Sequence, residues 1–128
     1  MNDFENELIS CCQEHCITKK GQNVIEAEGT FIFPHSFTGF QGHFPDHPVL
    51  PAVIQMTMIR LLAEQTLALR LVPQKYGKTK FRRVVQPEQN IITKINLTSD
   101  EQGVNCKYKL LQPDGQLISE GSCFFKYF

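Results

Sequence analysis

Residues 42–51 read GHFPDHPVLP and place one histidine, His43, in a proline-rich turn directly before a long apolar stretch. The prolines at 45, 48 and 51 restrict φ at their own positions and favour extended geometry in the residues before them. Pro51 also suits the first turn of a helix, where its missing N–H would have no intrahelical partner. The stretch therefore predicts a stiff loop that presents a histidine at the start of a helix.

The segment after this loop, residues 51–71, is mostly apolar. From Val53 onward the apolar residues occupy most of the circumference of a helix, which is typical of a helix largely enclosed by protein. Pro73 and Gly77 then predict the end of the helix and the beginning of a loop. We expect one long central helix here.

The rest of the chain predicts shorter elements. Residues 4–16 carry apolar side chains at roughly helical spacing and predict a short helix, whereas the imperfect alternation over 23–33 predicts a strand or strand pair. Turn signals separate four further predicted strands, at residues 80–85, 90–97, 105–111 and 117–127. One buried helix followed by a meander of strands indicates an α+β fold, with the helix covering one face of a curved antiparallel sheet.

Length and charge narrow the class of protein. A chain of 128 residues suits a single domain spanning 1–128. Thirteen basic residues balance thirteen acidic ones, so net charge favours neither nucleic acid nor an anionic membrane as a partner. The first residues lack the basic start and apolar core of a secretory signal, and no apolar run approaches the roughly 20 residues of a membrane span. We therefore expect a cytoplasmic protein.

The five cysteines are an odd number without a regular framework, which favours reduced thiols over a disulfide scaffold. Cys11, Cys12, His15 and Cys16 lie close together in the manner of soft zinc ligands. However, no second pair of ligands follows at the spacing of a zinc finger. The pattern therefore favours no metal site.

Three segments together resemble one known family. GHFP at 42–45, PVLPAVIQ at 48–55 and KFRRVVQP at 80–87 are similar, in order and spacing, to the 3-hydroxyacyl-acyl-carrier-protein dehydratases. The DGQLISEG segment at 114–121 is similar too, although that pattern is less specific. The resemblance extends from about Phe31 to the C-terminus and implies a hotdog fold, an antiparallel sheet wrapped around one central helix. The short dehydratases of aryl polyene biosynthesis are the branch that the chain resembles more closely.

The resemblance implies a catalytic pair. In the family a histidine removes the C2 proton of a 3-hydroxyacyl thioester, and a carboxylate on the central helix helps the 3-hydroxyl leave. His43 matches the histidine, and imidazole suits this role because its pKa lies near neutral pH. Thr57 stands where the family has Asp or Glu, and a hydroxyl cannot deliver a proton as a carboxylic acid does. Glu64 lies about 10 Å further along the helix, and we expect it to pair with Arg60 rather than replace the acid.

The family also implies residues that bind substrate. The N–H groups of Ala52 and Val53 at the helix N-terminus would stabilise the thioester carbonyl as it gains negative charge; the family usually has glycine in place of Ala52. Arg82 and Arg83 would attract the carrier protein or its phosphopantetheine phosphate, or else form ion pairs on a solvated strand. Four side chains of the segment before the helix are expected either to pack in the core or to line an acyl tunnel. They are His35, Phe37, Phe40 and Phe44. His47 is expected to have a structural role or to lie at the rim.

Family members form dimers in which the histidine of one subunit faces the helix acid of the other. The leading hypothesis is therefore a 3-hydroxyacyl-[acyl-carrier-protein] dehydratase-like protein of fatty acid or polyene biosynthesis, acting as a homodimer or with an acid-bearing paralogue. Two alternatives remain: a non-catalytic or heterodimer-forming subunit that binds acyl carrier protein, and an acyl thioesterase. The resemblance implies no cofactor, since the acyl group is carried on the phosphopantetheine of the carrier protein.

Overall fold

The computed structural model describes residues 1–41 and 48–128. The described part contains a short 3-10 turn at Thr38–Phe40, two α-helices and seven strands. In chain order these helices and strands are α1 (Asp3–Ser10), β1 (Cys12–Lys20), β2 (Val24–Ile32), α2 (Ala52–Leu67), β3 (Leu71–Tyr76), β4 (Lys80–Phe81), β5 (Asn90–Ser99), β6 (Val104–Leu111) and β7 (Leu117–Tyr127).

The strands form one antiparallel sheet in the order β1-β2-β5-β6-β7-β3. The short strand β4 also pairs with β7, next to Glu120 and Ser119, whereas β3 pairs with the last part of β7. Strands β1 and β3 are therefore the two edges of the sheet. The predicted α+β class is confirmed.

The central helix α2 packs its apolar face on the sheet. Its buried side chains are Gln55, Met58, Ile59, Leu61, Leu62, Ala63 and Thr66. Packing is closest at Gly29 of β2, where an added Cβ would lie 2.9 Å from Leu62 Cδ1. Because that space is already filled by the leucine, a glycine at this position lets the helix approach the sheet closely.

The predicted N-terminal helix is too long at its C-terminal end. Helix α1 ends at Ser10, and residues 12–16 belong to strand β1. This part of the prediction is wrong because β1 pairs with β2, from Cys12 opposite Phe31 to Lys20 opposite Ile25. Tertiary pairing outweighs the helical spacing of a few apolar residues. Residues 24–32 accordingly form one strand between β1 and β5.

The predicted central helix is also too long, and its expected breaker has another role. Helix α2 ends at Leu67, where Ala68 takes a left-handed conformation with φ of 54°. Pro73 lies inside strand β3 instead of opening a loop. A proline is tolerated there because β3 is an edge strand, and its pairing with β7 is irregular between Pro73 and Lys75.

The later strands agree with prediction to within two residues at each end, with one exception. The segment predicted as a strand over 80–85 forms only the two-residue strand β4. The residues after β4 leave the sheet, although the N–H groups of Arg82 and Arg83 both still donate to Ile118 O. The conformation after Phe81 is therefore a loop that follows the edge of β7.

The aromatic loop before residue 42 packs inward. Phe37 and Phe40 are buried and contact Phe33, with ring centroids 4.8 and 6.5 Å from it. Phe4 of α1 stacks on Phe37 at 5.7 Å and connects the N-terminal helix to this cluster. Of the two roles left open for Phe37 and Phe40, the structure supports core packing. His35 differs, because it is exposed.

Neither α1 nor α2, the helices of the described residues, is long and apolar enough to cross a membrane.

Candidate active site

The N-terminus of α2 is open to solvent. Pro51 is its cap residue and provides no side-chain hydrogen bond. Its carbonyl accepts from the N–H groups of Ile54 and Gln55, whereas those of Ala52 and Val53 have no acceptor within residues 1–41 and 48–128. Both residues are exposed, Val53 to 71%. Two backbone donors at the positive end of the helix dipole can therefore contact a bound carbonyl oxygen.

Thr57 lies one turn further along the same face of α2. Its side chain is partly exposed, and its Oγ1 donates to Val53 O at 3.0 Å. The hydroxyl is thus held by the backbone of its own helix, a common arrangement for threonine. No carboxylate stands at this position of the helix, so the chain itself lacks the acid that the resemblance implied here.

Three of the predicted residues of the loop lie outside the described residues: His43, Phe44 and His47. Their roles as base, acyl contact and rim residue stay predictions. The described chain resumes at Pro48, and Leu50 is already buried against the core.

The two arginines lie near an exposed apolar surface. Arg82 and Arg83 are exposed and make no ion pair with a carboxylate in the described ranges. Their neighbours Phe81 and Val84 are exposed to 47% and 53%. The structure thus leaves both guanidinium groups accessible to a phosphate or to an acidic partner, as the first of their two predicted roles requires.

Glu64, the next acidic side chain on α2, is already bound. Its Oε2 accepts from Arg60 Nη1 at 3.0 Å and from the N–H of Leu71 at 2.9 Å. Arg60 also bonds Glu5 of α1. The predicted ion pair between Arg60 and Glu64 is confirmed, and it is part of a network that joins α1, α2 and the start of β3. Glu64 is therefore not free to replace the acid missing at Thr57.

Sequence reasoning gave no role to three polar residues beneath the site. Gln55 and Ser119 are buried and hydrogen-bonded to each other, at 3.3 Å from Oγ to Oε1. Tyr108 lies 3.3 Å from Met56 Sδ through its hydroxyl, and burial raises the pKa of this phenol, so it is neutral at pH 7. The signal that was overlooked is Gln55, an amide in the first turn of α2, where the three preceding residues 52–54 are all apolar.

Two depressions on the described surface lie away from the N-terminus of α2. One, of about 760 Å³, is at the C-terminal end of α2, and the other, of about 660 Å³, is on the outer face of the sheet. Neither includes Ala52, Val53 or Thr57. A substrate pocket at this end of the helix thus needs a further wall beyond the described residues.

The cysteine cluster is dispersed by the fold. Cys11 is buried, whereas Cys16 lies exposed on β1. His15 Nε2 lies 2.9 Å from Thr66 Oγ1 of the central helix. Within the described ranges no group of three or more His, Cys, Asp or Glu side chains could hold a metal ion.

Comparison with known proteins identifies the family. Residues 17–122 match the family model described as ApeI-like, ApeI dehydratase. That match covers most of the chain. The chain belongs to the ApeI-like dehydratase family. The predicted family and branch are confirmed.

Curated relatives agree at modest identity. The chain is 28% identical over 96 residues to a 3-hydroxyacyl-[acyl-carrier-protein] dehydratase FabZ of Roseiflexus castenholzii, and 40% identical over 76 residues to that of Lactobacillus helveticus. These alignments cover 67% and 52% of this chain. The chain spans 65% and 48%, respectively, of the lengths of these relatives.

Solved structures confirm the hotdog fold. The chain is similar to one from the dehydratase heterocomplex ApeI:P of Xenorhabdus doucetiae, with a TM-score of 0.71 and 25% identity, covering 90% of this chain and 96% of that one. A putative thioesterase of Lactococcus lactis has a TM-score of 0.73 at 12% identity, covering 99% and 97%. At that identity the second likeness shows the fold alone.

Proposed function

We propose that this chain is a subunit of a dehydratase that removes water from 3-hydroxyacyl thioesters carried on an acyl carrier protein. The observation that carries the proposal is the open N-terminus of α2, with exposed Ala52 and Val53 donors directly after the segment that contains His43. Membership of the ApeI-like dehydratase family supports the reaction class.

The proposed reaction is an elimination across C2 and C3. The His43 imidazole takes the proton from C2, and the electron pair of that bond forms the double bond to C3. The C3–O bond breaks, and the hydroxyl takes a proton from an acid and leaves as water. Negative charge develops on the thioester oxygen as the C2 proton leaves, and the N–H groups of Ala52 and Val53 stabilise it.

The proton for the leaving hydroxyl has to come from outside this position of α2. Thr57 has no accessible acidic proton, and Glu64 is held by Arg60 and the Leu71 amide. We therefore propose that the acid belongs to a second subunit, namely an acid-bearing paralogue. The similarity to a chain of the dehydratase heterocomplex ApeI:P supports this arrangement.

The surface available to such a partner lies beside the site. Strand β3 is an edge of the sheet, and its residues after Leu71 are exposed. An unpaired edge can be extended by a strand from another chain. Exposed apolar side chains continue from this edge to the helix N-terminus, and they comprise Val72, Tyr76, Phe81, Val84 and Val53. A partner covering them would also supply the missing wall of the pocket.

In the same proposal, Arg82 and Arg83 bind the carrier protein. Both are exposed and without an ion pair to any described carboxylate, and they lie next to this apolar surface. Guanidinium groups bind phosphate with two parallel hydrogen bonds. They would hold the phosphopantetheine phosphate or acidic side chains of the carrier while the acyl group enters the site.

The test is turnover with defined assemblies. The chain is purified alone and as a complex with a paralogue that has Glu at the Thr57 position, and each is given 3-hydroxyacyl carrier protein. Loss of one water from the acyl group is followed by mass spectrometry. We expect the complex to form the 2-enoyl product, the chain alone to be much slower, and His43→Ala to abolish turnover.

A matched control is His35→Ala, because His35 is an exposed histidine of the preceding loop. It should leave the rate unchanged. Absence of dehydration by the chain in both assemblies would overturn the proposal, and turnover that persists in His43→Ala would show that the chain is only a supporting subunit. Release of a free thiol instead of water would identify a thioesterase.

A further inference from the structure

Gln55 is a buried polar side chain whose bonds converge on the start of the central helix. It lies in the first turn of α2 and is only 4% exposed. Its Nε2 donates to Leu50 O at 3.1 Å, and its Oε1 accepts from Ser119 Oγ at 3.3 Å. One amide therefore connects the segment before the helix with strand β7.

Both ends of this bridge are fixed. Ser119 is fully buried in β7, where it pairs with Phe81 of β4 and with Leu110 of β6. Leu50 is buried as well, and its own N–H donates to Val85 O at 2.9 Å. Both backbone polar groups of Leu50 are thus bonded, one to the loop after β4 and the other to Gln55.

The position of Leu50 sets the position of the helix N-terminus. Ala52 follows it by two residues and Val53 by three, and Pro51 between them has a restricted φ. A hydrogen-bond donor that stabilises a developing charge must be held in place before the reaction, because small displacements weaken it steeply. On the exposed side of this turn Pro51 provides no side-chain cap, and the bond from Thr57 Oγ1 to Val53 O stays within the helix itself. Among the described residues, the side-chain bond that ties this turn to the rest of the fold is therefore that of Gln55, on the buried side.

An apolar side chain of similar size would fill the same space without this constraint. Methionine or leucine at position 55 would leave Leu50 O without its donor and Ser119 Oγ without its acceptor. Burial alone does not account for an amide here, since a polar group in a core is costly unless its bonds are made.

We propose that Gln55 is a positioning residue: through its bridge between Leu50 and Ser119 it holds the N–H groups of Ala52 and Val53 where the thioester carbonyl binds. The inference rests on the proposed function for the carbonyl, whereas the bridge itself is a property of the described residues. Gln55 is not expected to contact substrate.

The experiment compares Gln55→Met and the milder Ser119→Ala with the unaltered chain. Amide hydrogen exchange is measured by mass spectrometry on peptides that cover residues 50–56 and on the rest of the chain. In Gln55→Met we expect exchange in residues 50–56 to rise about tenfold, as bonds that restrain this turn are lost, with little change in β5 and β6. In Ser119→Ala, which removes one of the two bonds, exchange there should rise less. Exchange that rises equally throughout, or not at all at 50–56, would overturn the inference.

The matched control is Thr66→Val. Thr66 is another buried polar residue of α2, and its hydroxyl donates to Leu62 O at 2.8 Å and lies near His15, far from the helix start. This variant loses a buried hydrogen bond but should leave exchange at residues 50–56 unchanged. An equal rise there in Thr66→Val would show a general loss of stability and contradict positioning by Gln55.

The kcat and KM of the complex that turns over substrate provide a second test. Donors that act on the developing charge contribute mainly in the transition state, so Gln55→Met should lower kcat about tenfold and change KM less than about twofold. Ser119→Ala should lower kcat less, and the double variant no more than Gln55→Met alone. An unchanged kcat despite faster exchange would overturn the link to the carbonyl. If the unaltered complex has no turnover, the proposed function and this link both fail, while the exchange result still decides whether Gln55 holds the turn.

Discussion

Along one face of the central helix, the N-terminal and C-terminal halves differ in how their side chains are bonded. At the N-terminal half, Val53 is exposed and Thr57 bonds only to its own helix. At the C-terminal half, Arg60 bonds Glu5 and Glu64, and Glu64 also accepts from the N–H of Leu71. The N-terminal half is accessible to a ligand or partner, whereas the C-terminal half is anchored by bonds to α1 and to the start of β3.

This difference explains why the carboxylate of α2 cannot act as the acid in the proposed reaction. Glu64 is the acidic residue of α2, and it stabilises the fold by joining two helices and an edge strand. The acid of the proposed reaction must therefore come from elsewhere. The C-terminal half of α2 is bonded to its own subunit, and the N-terminal half is left open for the proposed partner.

The largest expected effect is a gain of activity at the open half. Thr57→Glu should raise the rate of dehydration by the chain alone about 10²-fold, the lower part of the range for a positioned general acid. The measurement is formation of 2-enoyl carrier protein by the isolated chain.

Thr57→Gln is the control for this substitution. It adds the same side-chain volume without an acidic proton and should leave the rate low. An equal gain in both variants would show that shape rather than proton transfer limits the reaction, and the contrast between the halves would lose its chemical meaning.

The next effect is a loss of stability at the anchored half. Arg60→Met leaves Glu5 and Glu64 without their partner while both remain largely buried, with 18% and 11% of their side chains exposed. Removing one member of a buried charge network should lower the free energy of unfolding by about 3 kcal/mol. Urea unfolding at pH 7 measures it.

Arg70→Met is a matched control for Arg60→Met. Arg70 is an exposed arginine near the same end of α2, and its guanidinium carbon lies 4.0 Å from the ring centroid of Phe128. Its loss should cost about 0.5 kcal/mol or less. Equal costs for the two arginines would contradict the anchoring role of the network.

A smaller effect concerns the sheet on which the anchored half rests. Cys106 and Cys123 lie opposite each other on β6 and β7, and Cys123 is also paired with Tyr76 of β3. The Cys106 thiol donates a hydrogen bond to Cys123, and this bond together with burial raises the pKa of Cys106 above its ordinary value of 9.0. The folded state therefore keeps this proton at a pH where the unfolded state has lost it.

Stability should accordingly fall as the pH rises above 9.0, by at most about 1.4 kcal/mol per pH unit for one thiol. Cys106→Val should make the decline shallower in urea titrations between neutral and alkaline pH. Cys16→Val, at an exposed cysteine, should not alter it. The same slope in both variants would assign the decline to other groups.

The smallest effect on stability is expected at the open half. Val53→Asp changes a side chain that is 71% exposed, so the free energy of unfolding should change by about 0.5 kcal/mol or less. Leu62→Ala, on the buried face of the same helix, should cost about 3 kcal/mol. Chemical unfolding compares the two.

For assembly with the partner, the order of the two substitutions should be reversed, with the larger effect from Val53→Asp. Val53→Asp places a charge on the apolar surface proposed for the partner and should weaken the complex, measured by light scattering after size-exclusion chromatography. If Val53→Asp destabilised the isolated subunit as much as Leu62→Ala, position 53 would belong to the core, and the division of the helix would be wrong.

Much of this protein could be predicted from local sequence. The apolar circumference of residues 51–71, the alternation in β5 to β7 and the turn signals between them give the class and most boundaries, because burial imposes a period on each element. The i,i+4 spacing of Arg60 and Glu64 predicted their ion pair. The GHFP segment and the strand around Phe81 indicated the family.

The errors lie where distant residues compete with local preference. Residues 12–16 join β1 because β2 offers them a partner strand, and Pro73 is accepted in β3 because that strand is an edge. The helix ends at Leu67 since Glu64 bonds the N–H of Leu71 and Ala68 adopts a left-handed conformation. The strands that pair with residues 12–16 and with Pro73 are set by the fold, so the local pattern of these residues does not indicate them.

The sequence by itself determined the fold class, the family, the candidate base His43 and the absence of an acid at Thr57, because residue types and their spacing carry that information. Tertiary structure alone decided that Glu64 also accepts from the N–H of Leu71, that the start of α2 is open and that Gln55 bridges Leu50 and Ser119. These facts depend on which polar groups meet across the core, and burial requires such groups to find partners wherever the folded chain brings them.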